Sequence, residues 1–213
     1  MVNEKGMELR KLIQKQYGNI IGVVVLRDGK ITYESYFNGF DQNHTVHVAS
    51  VTKSVMSALI GIAVDKGAIN SIDQGVLEYF PKYKIKRGEA TIKKITIQNL
   101  LTMTAPYKFK YEPYTKVYSS DDWIKSVLDL LGGNSEIGEF KYTTVGTHIL
   151  SGVLENATGQ SVLEFATENL FEPLGIKTPH DVRIKSKEEY FAFLKDKHVS
   201  GWVVDPKGVS TAG

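Results

Sequence analysis

Ser50 and Lys53 stand three residues apart in "HVASVTKSVMSALIGIAVDKG", residues 47 to 67, where a polar entry gives way to an apolar run. Residues i and i+3 share a helix face, so the lysine side chain can stand beside the serine hydroxyl. A helix start offers free backbone N–H groups and a positive dipole end, both of which favour a developing oxyanion. The same dipole and the apolar neighbours disfavour a charged amine. A neutral amine accepts the hydroxyl proton as the oxygen attacks a carbonyl. Nucleophilic acyl transfer is therefore the chemistry this pair offers. The plainer alternative is Ser50 as a helix N-cap, with Lys53 snorkelling to solvent. Spacing does not choose between them, because chance alone supplies it about once in a chain with 14 serines and 22 lysines.

Other candidates are weaker. His44 and His47 are three apart but lie in a predicted loop with no third ligand nearby. His148 falls on an apolar helix and reads as core or half-exposed. Asp121-Asp122 fits helix-start chemistry better than a carboxylate pair. Trp123 and Trp202 read as core. There is no P-loop or dinucleotide glycine fingerprint.

Composition removes several classes. The chain has 213 residues, with 42% apolar and 23% charged, enough for one domain or a compact pair of lobes. A formal net charge of +2 gives no global argument for nucleic acid or a membrane surface. The basic stretch "KYKIKRGEATIKK" lacks an aromatic ladder and reads as a solvated face. With no cysteine, disulfides and thiolate chemistry are excluded; that fits an extracytoplasmic protein without demanding one, so the compartment stays open. The N-terminus lacks an apolar signal core, and no stretch approaches the roughly 20 apolar residues of a membrane span.

The elements that must position the pair follow from periodicity. "MVNEKGMELRKLIQKQYG" reads as an amphipathic helix. In "NIIGVVVLRDGKITYESYFNGF" two β-rich runs flank Asp28-Gly29, a hairpin signal. The first run is nearly all apolar, as expected of a strand covered on both faces. From Val51 to Lys66 apolar residues occupy most of the helix circumference, which predicts a central helix ended by Gly67. "SIDQGVLEYFP", "TIQNLLTM", "SSDDWIKSVLDLL", "THILSGVLENATG" and "SVLEFATENLFEPLG" read as short helices. Ser120 or Asp121 is the expected cap of the third, and Gly159 and Gly175 mark later ends. The tail "VSGWVVDPKGVSTAG" reads as a short strand and a turn. Two strands make a marginal sheet, so its completion is expected from another chain or from sequence beyond Gly213.

"ASVTKSVMSALIGIAVDKG" resembles the nucleophile helix of serine β-lactamases and penicillin-binding proteins, particularly the class C β-lactamase-like branch. "GAINSIDQGVLEYFP", "ITIQNLLTMTAPY", "GEFKYTTVGTHILSGVLENATGQSVLEFATENLFEPLGI" and "GWVVDPKGVSTAG" are similar to later segments of that branch, in the same order. The likeness runs from about Ile20 to Gly213. It implies a β-lactamase (DD-peptidase)-like α+β or α/β fold, an antiparallel sheet flanked by helices with an all-α region. Within it, residues 1–70 would form an α/β part with the N-terminal helix, hairpin and nucleophile helix. Residues 71–198 would form a mostly helical region carrying the tyrosine motif, and 199–213 the start of a return to the α/β part.

The resemblance also assigns roles. Ser50 becomes the nucleophile, Lys53 and Tyr142 the proton-handling pair, and Thr144 the substrate-binding position of the second motif, where the family carries asparagine or serine. "YGN" at 17–19 and "YFN" at 36–38 match that motif better as strings but precede the nucleophile. The third motif, Lys-Thr-Gly or His-x-Gly, is absent after Tyr142; His198-Val199-Ser200-Gly201 has one residue too many. The chain therefore looks C-terminally truncated. The implied activity is serine hydrolysis of an amide, lactam or ester carbonyl in a small-molecule or peptide substrate, such as a β-lactam, a D-Ala-D-Ala peptide or an ester. No metal or organic cofactor, nucleic acid or membrane partner is implied. The alternative is a non-catalytic penicillin-binding-like sensor or interaction domain.

Overall fold

The computed structural model describes residues 4–133, 136–177, 179–199 and 201–211. The chain divides into two compact units, residues 1–47 with 191–199 and residues 48–190 with 200–213.

In the smaller unit, helix α1 (Glu4–Gln16) precedes an antiparallel hairpin of β1 (Gly22–Arg27) and β2 (Lys30–Tyr36). Asp28 and Gly29 both take positive φ, 49° and 72°, the conformation that lets two residues reverse a right-twisted ribbon. Arg10 fastens α1 to β2: its guanidinium donates to Ser35 Oγ and to the Tyr36 carbonyl, and lies 5.1 Å from the Phe37 ring centroid. The expected cover on both faces of β1 is not found. Val24, Val25 and Leu26 are exposed, Leu26 by 62%. One amphipathic helix and a two-stranded ribbon hold too little apolar surface to close both faces. His44 accepts the Asp41 amide, and its ring stacks on that of His198 at 5.1 Å between centroids.

The larger unit opens with a 3-10 turn, Ala49–Val51, that runs directly into α2 (Thr52–Asp65). Of the broad apolar face expected on this helix, Met56, Leu59, Ile60 and Ala63 are fully buried at the i, i+3, i+4, i+7 spacing, with Val55, Ile62 and Val64 partly buried against the same core. Val51 and Ala58 are exposed instead. Gly67, at φ 74°, follows the helix end as expected. "SIDQGVLEYFP" contributes only a 3-10 turn, Val76–Tyr79, because three polar residues and a glycine precede it. Short helices α3 (Ile97–Leu101), α4 (Tyr114–Tyr118) and α5 (Trp123–Leu128) follow. Helix α5 is capped by Asp122, which accepts from Lys125 N at 2.8 Å, and not by Ser120 or Asp121.

Helix α6 (His148–Thr158) is the central element, with every residue from His148 to Leu154 buried. It packs against α2 and α5, and Ile149, Leu150, Val153 and Leu154 share one core with Met56, Leu59, Ile60 and Leu131. Each such aliphatic side chain removed from water contributes about 1.5–3 kcal/mol, which makes this core the rigid floor under the loops. Gly159 ends α6 in the left-handed conformation at φ 72°. Helix α7 (Val162–Ala166) starts at a Ser161/Glu164 capping box and widens into a π-turn, Thr167–Phe171, that stops short of Gly175.

Beyond it, β3 (His180–Val182) pairs in parallel with β4 (Gly201–Val203). The β4 strand is the one expected in the tail; β3 and helix α8 (Lys187–Lys195) were not. No helix among the described residues is long and apolar enough to cross a membrane.

Candidate active site

Ala49 holds φ 46°, a left-handed conformation unusual for a residue with a Cβ, and it turns the chain sharply just before Ser50. The Thr52 hydroxyl braces that turn, donating to the Ala49 carbonyl at 2.8 Å. The α-helix proper starts one residue later than its apolar pattern predicts. Val51 is its N-cap residue and no side chain caps it. The N-cap alternative for Ser50 is thereby removed. Its Oγ instead accepts from Lys53 Nζ at 3.1 Å, one helical turn on. Both side chains are half-buried.

Tyr142 arrives from the loop that precedes α6. Its Oη donates to Ser50 Oγ at 2.9 Å, and Lys53 Nζ lies 5.7 Å from the centre of its ring. Three of the four residues picked out in the sequence thus converge on one oxygen. The loop is fastened before and after the tyrosine. Gly138 N–H donates to the Thr104 carbonyl at 3.0 Å and Lys141 N–H to the Met103 carbonyl at 2.8 Å. Past Tyr142, the Thr143 hydroxyl, Thr144 N–H (2.7 Å) and Val145 N–H (3.1 Å) all donate to Glu112 Oε1.

Thr144, the fourth residue, is placed by its amide, which donates to Glu112 Oε1. The Glu112 carboxylate beside it pushes the Tyr114 hydroxyl up from its ordinary value, against the opposing effect of Thr144. Glu112 is the residue that sequence reading missed. It sits in the aromatic run "YKFKYEPY", and its three partners lie 31 to 33 residues downstream.

The remaining candidates fall outside this cluster. His148 is buried at the start of α6 with Nε2 3.2 Å from Asp205 Oδ2, and its ring meets Trp123 edge to face. Trp202 is buried against Phe171. Among the described residues no group of three or more His, Asp or Glu is arranged to hold a metal. A cavity of ≈ 700 Å³ lined by Tyr79, Phe80, Tyr83, Ile124, Leu128 and Lys207 contains none of Ser50, Lys53 or Tyr142. The cavity and the hydroxyl–amine–phenol cluster are thus separate features. Ser200, the third residue of the near-match to the missing third motif, lies outside the described residues.

Set beside known proteins, residues 9–212 match the family model described as Beta-lactamase. The 6-aminohexanoate-dimer hydrolase of Paenarthrobacter ureafaciens is 25% identical over 166 residues, 71% of this chain and 41% of that protein. Beta-lactamase-like protein 2 of Dictyostelium discoideum is 23% identical over 208 residues, 91% of this chain and 36% of that one. The chain thus spans less than half the length of these two curated relatives. Among solved structures, the octameric penicillin-binding protein homologue from Pyrococcus abyssi aligns with a TM-score of 0.62 at 22% identity, over 98% of this chain and 50% of that one. The fold is the one that the motif order implied.

Proposed function

This chain belongs to the beta-lactamase family of serine hydrolases and penicillin-binding protein homologues, and we propose that Ser50 is its acyl-transfer nucleophile. The observation that carries this reading is the Ser50 Oγ, which takes hydrogen bonds from both Lys53 Nζ and Tyr142 Oη.

In the proposed reaction Ser50 Oγ attacks an amide, lactam or ester carbonyl carbon as its proton passes to Lys53 Nζ, directly or through the Tyr142 phenol. The Ser50 backbone N–H, at the positive end of α2, steadies the oxyanion of the tetrahedral intermediate. That intermediate collapses when the C–N or C–O bond breaks; the departing nitrogen or oxygen takes its proton from Tyr142, and Lys53 returns the serine's proton to the phenolate. The Ser50 ester that remains is cleaved by water or transferred to another acceptor.

The hydrolase relative is named for a dimer of 6-aminohexanoate, and an open amide or ester is the class we favour here. At position 144 a threonine keeps a hydroxyl but lacks the carboxamide that would grip a lactam side-chain amide, so efficient β-lactam turnover is the less favoured use.

Intact mass after incubation of the full-length protein with a fluorophosphonate, and separately with a penicillin, tests the reading. One adduct on the wild type and none on Ser50→Ala is the expected result. An adduct that survives in Ser50→Ala removes the nucleophile assignment. No adduct from either probe turns the reading towards a non-catalytic sensor or interaction domain.

A further inference from the structure

We infer that Glu112 is the positioning residue that aims the Tyr142 phenol at Ser50, an inference that rests on the acyl-transfer reading above. Tyr142 is 52% exposed. Packing therefore does not hold its ring, and its aim is set by the backbone on either side. On the near side Gly138 N–H and Lys141 N–H donate to the Thr104 and Met103 carbonyls, neutral acceptors reached one at a time. On the far side three donors from consecutive residues converge on Glu112 Oε1. Hydrogen bonds to an ionised acceptor are roughly twice as strong as neutral ones. Among the described residues no lysine or arginine forms an ion pair with Glu112, so its charge is spent on these amides and hydroxyls.

The geometry separates the carboxylate from the reacting atoms. Glu112 bonds residues 143 to 145. It reaches Ser50 only through the loop that carries Tyr142. A residue that works in this way has a distinctive signature: its removal costs nothing further once the phenol itself is gone. A glutamine keeps an oxygen where Oε1 stands, still able to accept from the two backbone N–H groups, whereas alanine releases all three donors together.

The test is fluorophosphonate labelling of Ser50 in the full-length protein, followed by intact mass and fitted for maximal rate and half-saturating concentration. Glu112→Ala is expected to lower the maximal rate by about 20-fold or more, with half-saturation within about threefold of wild type. Glu112→Gln should stay within about fivefold of wild type, the conservative rescue that an acceptor role demands. The double variant Glu112→Ala/Tyr142→Phe should label within about twofold of Tyr142→Phe alone.

Wild-type labelling of Glu112→Ala, or losses that multiply in the double variant, would overturn the assignment. Should the alanine variant not fold, Thr143→Val removes one donor to the same oxygen. It is expected to slow labelling about threefold at unchanged half-saturation, and no slowing overturns the proposal. A wild-type rate for Tyr142→Phe identifies a different failure, that of the Tyr142 role itself, and the positioning claim falls with it.

Discussion

Tyr142 Oη stands 2.9 Å from Ser50 Oγ although the two residues are 92 positions apart in the chain. Neither side chain is locked by deep burial, so the contact depends on the backbone that delivers each. Ser50 is set by the left-handed Ala49 and the first turn of α2. Tyr142 is set by a loop bonded to residues 103, 104 and 112 and running into buried α6. Since α2 and α6 share one core, packing far from the hydroxyls controls their separation.

Lys53 supplies the sharpest test of that pair. Lys53→Arg preserves charge and reach but places a guanidinium, always protonated, where the proposed reaction calls for a base. Fluorophosphonate labelling is expected to fall by about 10²- to 10⁴-fold, with little change in melting temperature. Labelling within a few-fold of wild type would show that Lys53 is not the base.

The proposed substrate-binding role of Thr144 has its own test. Its amide is committed to Glu112, and the side chain can change without releasing that bond. Thr144→Asn restores a carboxamide at this position, and one hydrogen bond contributes about 1–1.5 kcal/mol. Acylation by a penicillin should therefore rise by about tenfold relative to hydrolysis of a simple aryl ester. An unchanged ratio would remove Thr144 from substrate recognition.

The residues that were legible and those that were not differ in how far their causes lie along the chain. Asp28-Gly29 dictates a turn through its own backbone, and the Ser50/Lys53 pair is fixed within one helical turn. Tyr142 became legible only through motif order, since nothing local distinguishes it from Tyr114 or Tyr118. Ser120, Asp121 and Asp122 are each competent caps. The choice of Asp122 goes with its Lys207 partner, 2.6 Å away and 85 residues on. Strand β3 is three residues long and exists because β4 pairs with it some twenty residues later. The exposure of β1 was misread because an apolar run records what a strand can bury, not what is there to cover it.

Two glycines separate steric need from helix propensity. A Cβ on Gly146 would collide with Tyr107 Oη and stand 2.6 Å from Thr143 Cγ2 and 2.7 Å from Tyr107 Cζ. Tyr107 is buried to 3% exposure and has nowhere to retreat. Gly146→Ala should destabilise by about 1–3 kcal/mol and slow labelling, because the turn it distorts carries Tyr142. Gly61, on the exposed side of α2, meets nothing within 4 Å, so Gly61→Ala should stabilise by about 0.5–1 kcal/mol. Equal effects in denaturant melts of the two variants would refute this account of the loop.

Glu155 on α6 makes stability depend on pH in a direction opposite to ordinary acid denaturation. Burial pushes its carboxyl up to about 7, and the negative charges of Asp205, Asp181 and Glu164 add to this, against the bond donated by Val162 N–H at 3.3 Å. In the unfolded chain a glutamate titrates near about 4.3. Between those values the folded protein holds a proton that the unfolded chain has released. Stability contributed at this site is therefore present below about pH 4, falls as pH rises and levels off above about 7.

The neighbouring Asp205 does not blur that window. Burial raises its carboxyl, but bonds from His148 and from the Val209 and Lys207 amides outweigh this and hold it below the usual range, so its contribution is lost only under more acid conditions, as pH falls through that depressed value. Glu155→Gln removes the ionisation while keeping the shape. Its gain over wild type should be near zero at pH 4.5 and grow to about 1–3 kcal/mol by pH 8. A pH series of urea melts on both proteins reads the difference directly. A gain that is constant across the series, or that shrinks as pH rises, would mean that Glu155 is already ionised in the folded protein at low pH and that burial does not govern it.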